Sequence, residues 1–570
     1  MNTVTIAIVG SGGAGVVSLG ELLLKAAAKT GYFGLMRKSF GPQIRGGESA
    51  AILRLGPEPI GNFTAETHLL LALDWNNFSR FGDEIPLTAD TLVIQDAQAG
   101  EPPQAVNNAQ TLDFTAAADT AGSGKANMAM LGYLGSWLGC SSTMLGDFVR
   151  RRLGRFSDAV QQVSVAAVEA GAAMFAAAPL SVSLPPLASQ GAPTWIASGN
   201  QLAGLGALES GIRFVAAYPI TPASDCLEWM AGHIESLGGH LVQAEDELSA
   251  INMAIGGGYA GVPAMTATSG PGLSLMCEAM GLAVASETPV VVLNVMRGGP
   301  STGIPTKSEQ SDLNLALHGM HGDAPHVVLS ALSVTDCFHT MAWANHLAVH
   351  LQTLVIVLSD QFIGQSSQII EAPGPVPFRV EKPLRPAADA SDYRRYALTE
   401  SGLSPMALPG DPGWMYTADG LEHSQNAVPS PKASDHQQQL DKRLRKLACF
   451  DFGERWGEVH GNGDTVLLCW GSLLSAALEA QQRLQQQQGL AIKVVALRLL
   501  MPLPAEQLLA ACDGAKDVVL IEQNHQGQCA AWIRGHNLAG LAFRHLAKPG
   551  PSLITPGEIC DFIVGQGDKQ

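Results

Sequence analysis

Between residues 212 and 360 the apolar runs IRFVAAYPI, HLVQAE, PAMTATSG, PVVVLNVM and TLVIVLSD alternate with helical stretches. Near-continuous apolar strands separated by helices read as a parallel sheet buried on both faces by its crossovers. Residues 461–570 repeat the pattern on a smaller scale, with TVLLCW, IKVVAL and DVVLIE as strands and LLSAALEAQQRLQQQQ and AEQLLAAC as helices. The first block opens with TIAIV, a glycine turn and the helical stretch LGELLLKAAAK. The chain is therefore expected to be a multidomain α/β protein. We expect a Rossmann-like domain over 1–180, a proline-bearing linker over 181–193 and a second α/β domain over 194–375. An irregular connector over 376–460 and a small α/β domain over 461–570 complete the division. With 46% hydrophobic and 15% charged residues in 570, several cores can be filled.

The formal net charge of -17 disfavours nucleic acid as a partner. The 9 cysteines are scattered without a C-x-x-C pair, which points to free thiols in a reducing compartment and away from an iron–sulfur cluster held by this chain alone. The opening MNTVTIAIV lacks a signal-peptide pattern, and the weakly charged stretch from Ala170 to Leu208 is broken by Pro179, Pro185, Pro186 and Pro193. A cytoplasmic protein is expected. The basic run DKRLRK (441–446) reads as a solvated helix face, or as a local patch for an acidic partner.

Gly10, Gly12 and Gly15 fit G-x-G-x-x-G between a strand and a helix, where backbone amides and the helix dipole can hold a pyrophosphate. The acid that would bind a nicotinamide cofactor's ribose is missing. GYFGLMRKSFG stands in its place, with Arg37 and Lys38, which fits a ligand bearing an extra phosphate, such as NADP or coenzyme A. A tight turn without a ligand fits as well. In GPQIRGGES (41–49), Arg45 either reaches an anion or ends a structural turn.

The middle block carries the chemistry. In YPITPAS, Pro219 and Pro222 hold Ile220 and Thr221 rigidly beyond a strand end. In QAEDELSAINMAIGGG, Glu245, Asp246 and Glu247 precede an amphipathic helix, where acids also serve as plain dipole partners. In TATSGPGLSLM, Gly270 and Gly272 let another group approach a helix start. In MRGGPSTGIPTKSEQSDL, Arg297, Thr302 and Lys307 share a short loop after a strand, as bidentate carboxylate binding requires.

Together these segments resemble the pyrimidine-binding half of the 2-oxoacid:ferredoxin oxidoreductases, and the resemblance covers nearly the whole chain. The first block looks like that family's gamma domain and the last like a transketolase C-terminal-type domain. The connector's YRRYALTESGLSPMALPG, GLEH (420–423) and Lys442–Arg443 look familiar too. The arrangement is similar to gamma–alpha fused alpha subunits acting on 2-oxoglutarate. The resemblance implies that Glu247 hydrogen-bonds the aminopyrimidine of thiamine pyrophosphate and, with Thr221, is catalytic, and that Pro219, Ile220 and Gly270 line the cofactor. It implies that Thr221, Arg297 and Thr302 hold the 2-oxoacid, with Lys307 on a distal carboxylate. Gly12, Gly13, Gly15 and Arg45 are the candidates for coenzyme A, and no residue is assigned to metal.

No G-D-G…N segment is present for Mg²⁺ and the pyrophosphate; HGD (321–323) and CDG (512–514) lack the setting. That half and the [4Fe–4S] cluster are expected on a beta subunit, in an alpha2beta2 heterotetramer that reduces ferredoxin. The same chemistry on pyruvate, branched-chain 2-oxoacids or indolepyruvate is the near alternative. A stand-alone NADP oxidoreductase or a non-catalytic partner-binding subunit are the distant ones.

Overall fold

The computed structural model describes residues 3–41, 47–106, 108–120, 122–187, 195–378, 382–387 and 392–565. Two compact units emerge, one of residues 1–197 with 366–372, the other of 198–365 with 373–570.

The first unit is built on an eight-stranded sheet. From one edge it runs Gln110–Leu112, Leu92–Asp96, Leu69–Ala72, Val4–Ser11, Glu48–Gly56, Phe33–Phe40, Ser367–Ile370 and Trp195–Ser198. Val4–Ser11 pairs in parallel with Leu69–Ala72, and this half has the expected Rossmann-like character. The other half, from Glu48–Gly56 to Ser367–Ile370, is antiparallel. Periodicity could not assign Ser367–Ile370 to this sheet: its Ile369 joins a core whose other buried members lie between Val4 and Val168, and the second domain therefore does not run unbroken from 194 to 375.

The alanine-rich pattern forms the helix Asp158–Ala177, long and apolar enough by composition to cross a membrane. Its small residues have a packing role. A Cβ at Gly132, in the helix Ala126–Trp137, would overlap the Val168 carbonyl, and one at Gly171 would overlap the Ala129 carbonyl. The two helices thus touch backbone to backbone at both positions, which only glycine permits.

The second unit holds two sheets. The larger orders Leu499–Met501, Val327–Ser330, Leu354–Asp360, Val290–Met296, Ala264–Thr268, Phe214–Ala217 and His240–Gln243, all parallel except the first. The smaller orders Gly457–His460, Ile492–Leu497, Thr465–Trp470, Asp517–Glu522 and Arg544–Ala547. Its first strand begins before residue 461, and Leu499–Met501 leaves the last domain to pair with the larger sheet.

The connector is clamped to the larger sheet's layer by buried charge, which corrects the reading of DKRLRK as a solvated face or docking patch. Lys442 and Lys446, on the helix Ala433–Ala448, are fully buried and reach Glu287 with Nζ at 2.5 and 3.1 Å. Arg395 donates to the Glu287 carbonyl and to Gln352, and Arg443 pairs with Glu422 of the GLEH string. Burial would raise the Glu287 carboxyl's pKa, but Lys442, Lys446 and Arg395 outweigh it and hold the carboxylate well below its usual range.

Candidate active site

Four neighbouring strands of the larger sheet end on the segments singled out by sequence, where open α/β sheets place ligands. Beyond Phe214–Ala217 the chain turns at Pro219–Ile220–Thr221, and Asn200 Nδ2 pins the turn by donating to the Pro222 carbonyl at 2.8 Å. Thr221 and Ile220 are half-buried and Pro219 is exposed.

Beyond His240–Gln243, burial separates the three acids. Glu245 is exposed. Asp246 caps the helix Glu247–Tyr259 by accepting from Ser249 N at 2.7 Å, a bond that lowers its pKa. Glu247 is the helix's first residue and is 6% exposed. Its side chain makes no hydrogen bond or ion pair among the described residues. A Cβ at Gly272 would lie 2.7 Å from Glu247 Oε1 and would overlap Thr268 Oγ1, so Glu247 rests flush on the start of the helix Gly270–Ala285.

Beyond Val290–Met296 comes Arg297, 6% exposed. Its Nη1 donates to the Thr221 carbonyl at 2.6 Å and its Nη2 to the Thr302 carbonyl at 3.0 Å. Thr302 thus contributes its backbone, with its side chain exposed. The loop closes on itself. Gly298 N donates to the Lys307 carbonyl at 3.0 Å, Ile304 N to the Gly298 carbonyl, and Gly303 lies at φ +59° where a Cβ would overlap Gly298. Lys307 is half-buried on the same loop.

Residues just past the loop were not singled out by sequence, although SEQSD follows Lys307 directly. Asp312 accepts from Asn294 Nδ2 at 2.9 Å, and a Cβ at Gly270 would lie 2.7 and 2.8 Å from its two carboxyl oxygens. Burial raises its pKa to about 6. Gln310, fully buried, donates to the Trp470 carbonyl at 2.9 Å and accepts from Gln523 N at 2.9 Å, tying the loop to two strand ends of the smaller sheet.

The candidates in the first unit sit in their own setting. Ser11 N donates to Asp74, Gly12 N to the Gly47 carbonyl and Ala14 N to the Ser11 carbonyl, which uses up these loop amides. Gly13 lies at φ +94° with open space around it, and Gly15, at φ +85°, abuts the Asn127 side chain. Arg37 and Lys38 are not held ready for phosphate: Arg37 donates to the Glu84 carbonyl at 2.8 Å and Lys38 pairs with Glu21 at 2.8 Å. Arg45 lies outside the described residues.

The comparisons with known proteins agree with this division. A family model described as pyruvate flavodoxin/ferredoxin oxidoreductase, thiamine diP-binding, matches residues 205–442, and one described as pyruvate ferredoxin/flavodoxin oxidoreductase matches residues 5–174. The 2-oxoacid:ferredoxin oxidoreductase subunit alpha of Saccharolobus solfataricus is 36% identical over 59% of this chain and 56% of its own length. The chain thus spans little more than half of that relative. The 2-oxoglutarate synthase subunit KorA of Archaeoglobus fulgidus is 33% identical over 65% of this chain and 98% of its own. A solved structure of 2-oxoglutarate:ferredoxin oxidoreductase from Magnetococcus marinus, with 2-oxoglutarate, coenzyme A and succinyl-CoA bound, superposes with a TM-score of 0.90 at 33% identity, covering 100% of both chains. On its sheet-end site, its family matches and this whole-length likeness, the chain belongs to the 2-oxoacid:ferredoxin oxidoreductase family.

Proposed function

We propose that this chain is the alpha subunit of a 2-oxoglutarate:ferredoxin oxidoreductase and supplies the pyrimidine half of its thiamine pyrophosphate site. The reaction converts 2-oxoglutarate, coenzyme A and oxidised ferredoxin into succinyl-CoA, CO2 and reduced ferredoxin, or runs in reverse. The observation that carries the reading is Glu247, a buried carboxylate with no partner among the described residues, resting on Gly272. An aminopyrimidine ring would satisfy that carboxylate, with Pro219 and Ile220 as rigid and apolar neighbours beyond one strand end and Gly270 opening the helix whose Gly272 carries Glu247.

When bound, thiamine pyrophosphate supplies the electron sink that lets a 2-oxoacid lose CO2. The chain's own residues orient and charge the site. Glu247 would hold a proton at the ring nitrogen, and its burial keeps that proton from water. Arg297, fixed by two backbone carbonyls, keeps a full positive charge for the substrate's first carboxylate. Thr221 would donate a hydroxyl to the same group, Thr302 shapes the loop, and Lys307 would meet the distal carboxylate that sets 2-oxoglutarate apart from pyruvate.

Tyr218, Leu248, Met253, Leu275 and Ile304 are exposed around these segments. Apolar side chains beside an incomplete site suit burial by a partner subunit. In this reading a beta subunit brings Mg²⁺, the pyrophosphate half and a [4Fe–4S] cluster, in an alpha2beta2 assembly. In this reading the first unit binds coenzyme A at the turn of Gly12, Gly13 and Gly15, the Gly12 amide being already given to Gly47, with Arg45 as the expected anion partner. All nine cysteines are free, which suits a reducing cytoplasm.

The test is anaerobic co-expression with the beta subunit and reduction of a low-potential dye by 2-oxoglutarate, pyruvate or a branched-chain 2-oxoacid, each with coenzyme A. Preference for 2-oxoglutarate supports the reading. Preference for another acid removes the role of Lys307. No turnover in a complex holding cofactor and cluster removes the reaction.

A further inference from the structure

Lys307 is followed directly by residues 308–311 (SEQS), a strip that carries the chain from the substrate loop onto the smaller sheet. Gln310, fully buried, is bonded there through backbone and side chain alike. Its backbone N donates to the Gln523 carbonyl at 2.8 Å, and its Oε1 accepts from Gln523 N at 2.9 Å. Its Nε2 donates to the Trp470 carbonyl at 2.9 Å, and its own carbonyl accepts from Asn524 Nδ2 at 3.3 Å. Trp470 ends the strand Thr465–Trp470, and Gln523 follows its neighbour Asp517–Glu522. Gly471, at φ +62°, leaves the space, because a Cβ there would lie 2.3 Å from Gln310 Nε2. The strip is held again on either side of Gln310. A Cβ at Gly550 would lie 2.4 Å from the Ser308 carbonyl oxygen, and Gln528 Nε2 donates to the Ser311 carbonyl at 2.8 Å.

We propose that Gln310 is a positioning residue for substrate choice: by fastening the strip to the smaller sheet it fixes where Lys307 stands, and with it the reach of the site for a second carboxylate. The inference rests on the function proposed above and goes beyond it by giving the smaller domain a part in specificity.

The two cations of the loop are held differently. Arg297 is fixed by the Thr221 and Thr302 carbonyls, both outside the strip. The backbone of Lys307 is bonded on one side within its own loop, its carbonyl to Gly298 N at 3.0 Å and its amide to the Ile304 carbonyl at 3.1 Å. On the other side it runs straight into the strip. A lysine carries its charge on a flexible four-carbon stem, so its hold on an anion depends on a fixed backbone to limit the freedom lost on binding. Gln310 suits that task because one neutral amide donates and accepts at once, closing on two strand ends together. Loosening the strip therefore weakens the grip on a distal carboxylate and leaves the arginine for the first carboxylate in place.

The experiment compares the assembled wild-type complex with Gln310→Met, which keeps the length of the side chain and removes its bonds to Trp470 and Gln523. It measures KM and kcat for 2-oxoglutarate beside the inhibition constant of pyruvate, which lacks the distal carboxylate. The KM for 2-oxoglutarate is expected to rise about tenfold with kcat changed less, and the pyruvate constant to stay within about twofold. In a Lys307→Met background the same substitution should add nothing to the KM, since both residues then act on one carboxylate. Equal changes for the two acids, no change in either, or full additivity with Lys307→Met overturns the proposal. Should Gln310→Met fail to assemble, the half-buried Gln528 decides through Gln528→Ala, which frees the Ser311 carbonyl. A rise of about threefold for 2-oxoglutarate alone is then expected, and an equal effect on pyruvate, or none on either, overturns the idea. A wild-type complex that turns over no 2-oxoacid, or prefers pyruvate, refutes the function proposed above instead, and this inference falls with it.

Discussion

Replacing Glu287 with alanine removes the only carboxylate in contact, among the described residues, with the buried Lys442 and Lys446. At an effective dielectric of roughly 20, Coulomb attraction across such short distances is about 5–7 kcal/mol per pair. Burying each ion costs several kcal/mol, so the intact cluster contributes little net stability. Removing the anion alone is different. Lys442, Lys446 and Arg395 remain in place, all under 2% exposed, with their mutual repulsion unopposed. We expect a loss of about 3–5 kcal/mol, with the helix Ala433–Ala448 and the segment around Arg395 loosening first. Urea denaturation of wild type and Glu287→Ala gives the loss, and limited proteolysis should show new cuts between residues 392 and 448. Glu287→Gln, which keeps the volume and a hydrogen-bond acceptor, should lose less. A change under about 1 kcal/mol without new cleavage would refute the claim that this cluster clamps the connector.

Gly272→Ala would push its methyl into Glu247 and Thr268; turnover should fall at least tenfold, beside a stability loss of about 1–3 kcal/mol from the same overlap, as kinetics beside thermal melts will check. Gly132→Ala would drive a methyl into the Val168 carbonyl and should cost about 1–3 kcal/mol or more, read from the first unit's unfolding. Acid should destabilise the fold through Glu287, Glu422 and Glu522. Burial raises each pKa, but Lys442, Arg443 and His545 respectively lead the groups that pull it below the ordinary carboxylate value. The unfolded chain therefore takes up these protons first, so stability is present above about pH 4.5 and is lost as pH falls below it, measurable as urea midpoints against pH.

Much of this was legible in the residues. The apolar runs of the larger sheet are near-continuous because it is buried on both faces, and YPITPAS, SGPG and MRGGPSTG carry the proline and glycine of turns beyond its strand ends, with EDE opening a helix at a fourth. Which acid matters was not settled by pattern alone: Asp246 caps, Glu245 is exposed and Glu247 is buried, a distinction made by tertiary burial. DKRLRK misled because a basic run is ordinarily solvated, and its partner Glu287 lies more than 150 residues earlier. The partners of Arg37 and Lys38, Glu84 and Glu21, are likewise not visible in a linear reading. Asp312 escaped notice because an Asp before a short helix reads as an ordinary cap, and only the fold turns it towards Asn294 and Gly270.

The central claim is that Glu247 acts on a thiamine ring completed by another chain. The direct measurement is thiamine pyrophosphate-dependent dye reduction by the assembled complex with Glu247→Gln, beside calorimetric binding of the cofactor. The account predicts that the cofactor still binds while turnover drops by about 10²–10⁴-fold, as expected for loss of a proton-handling group. Turnover equal to wild type, with cofactor bound, would contradict it.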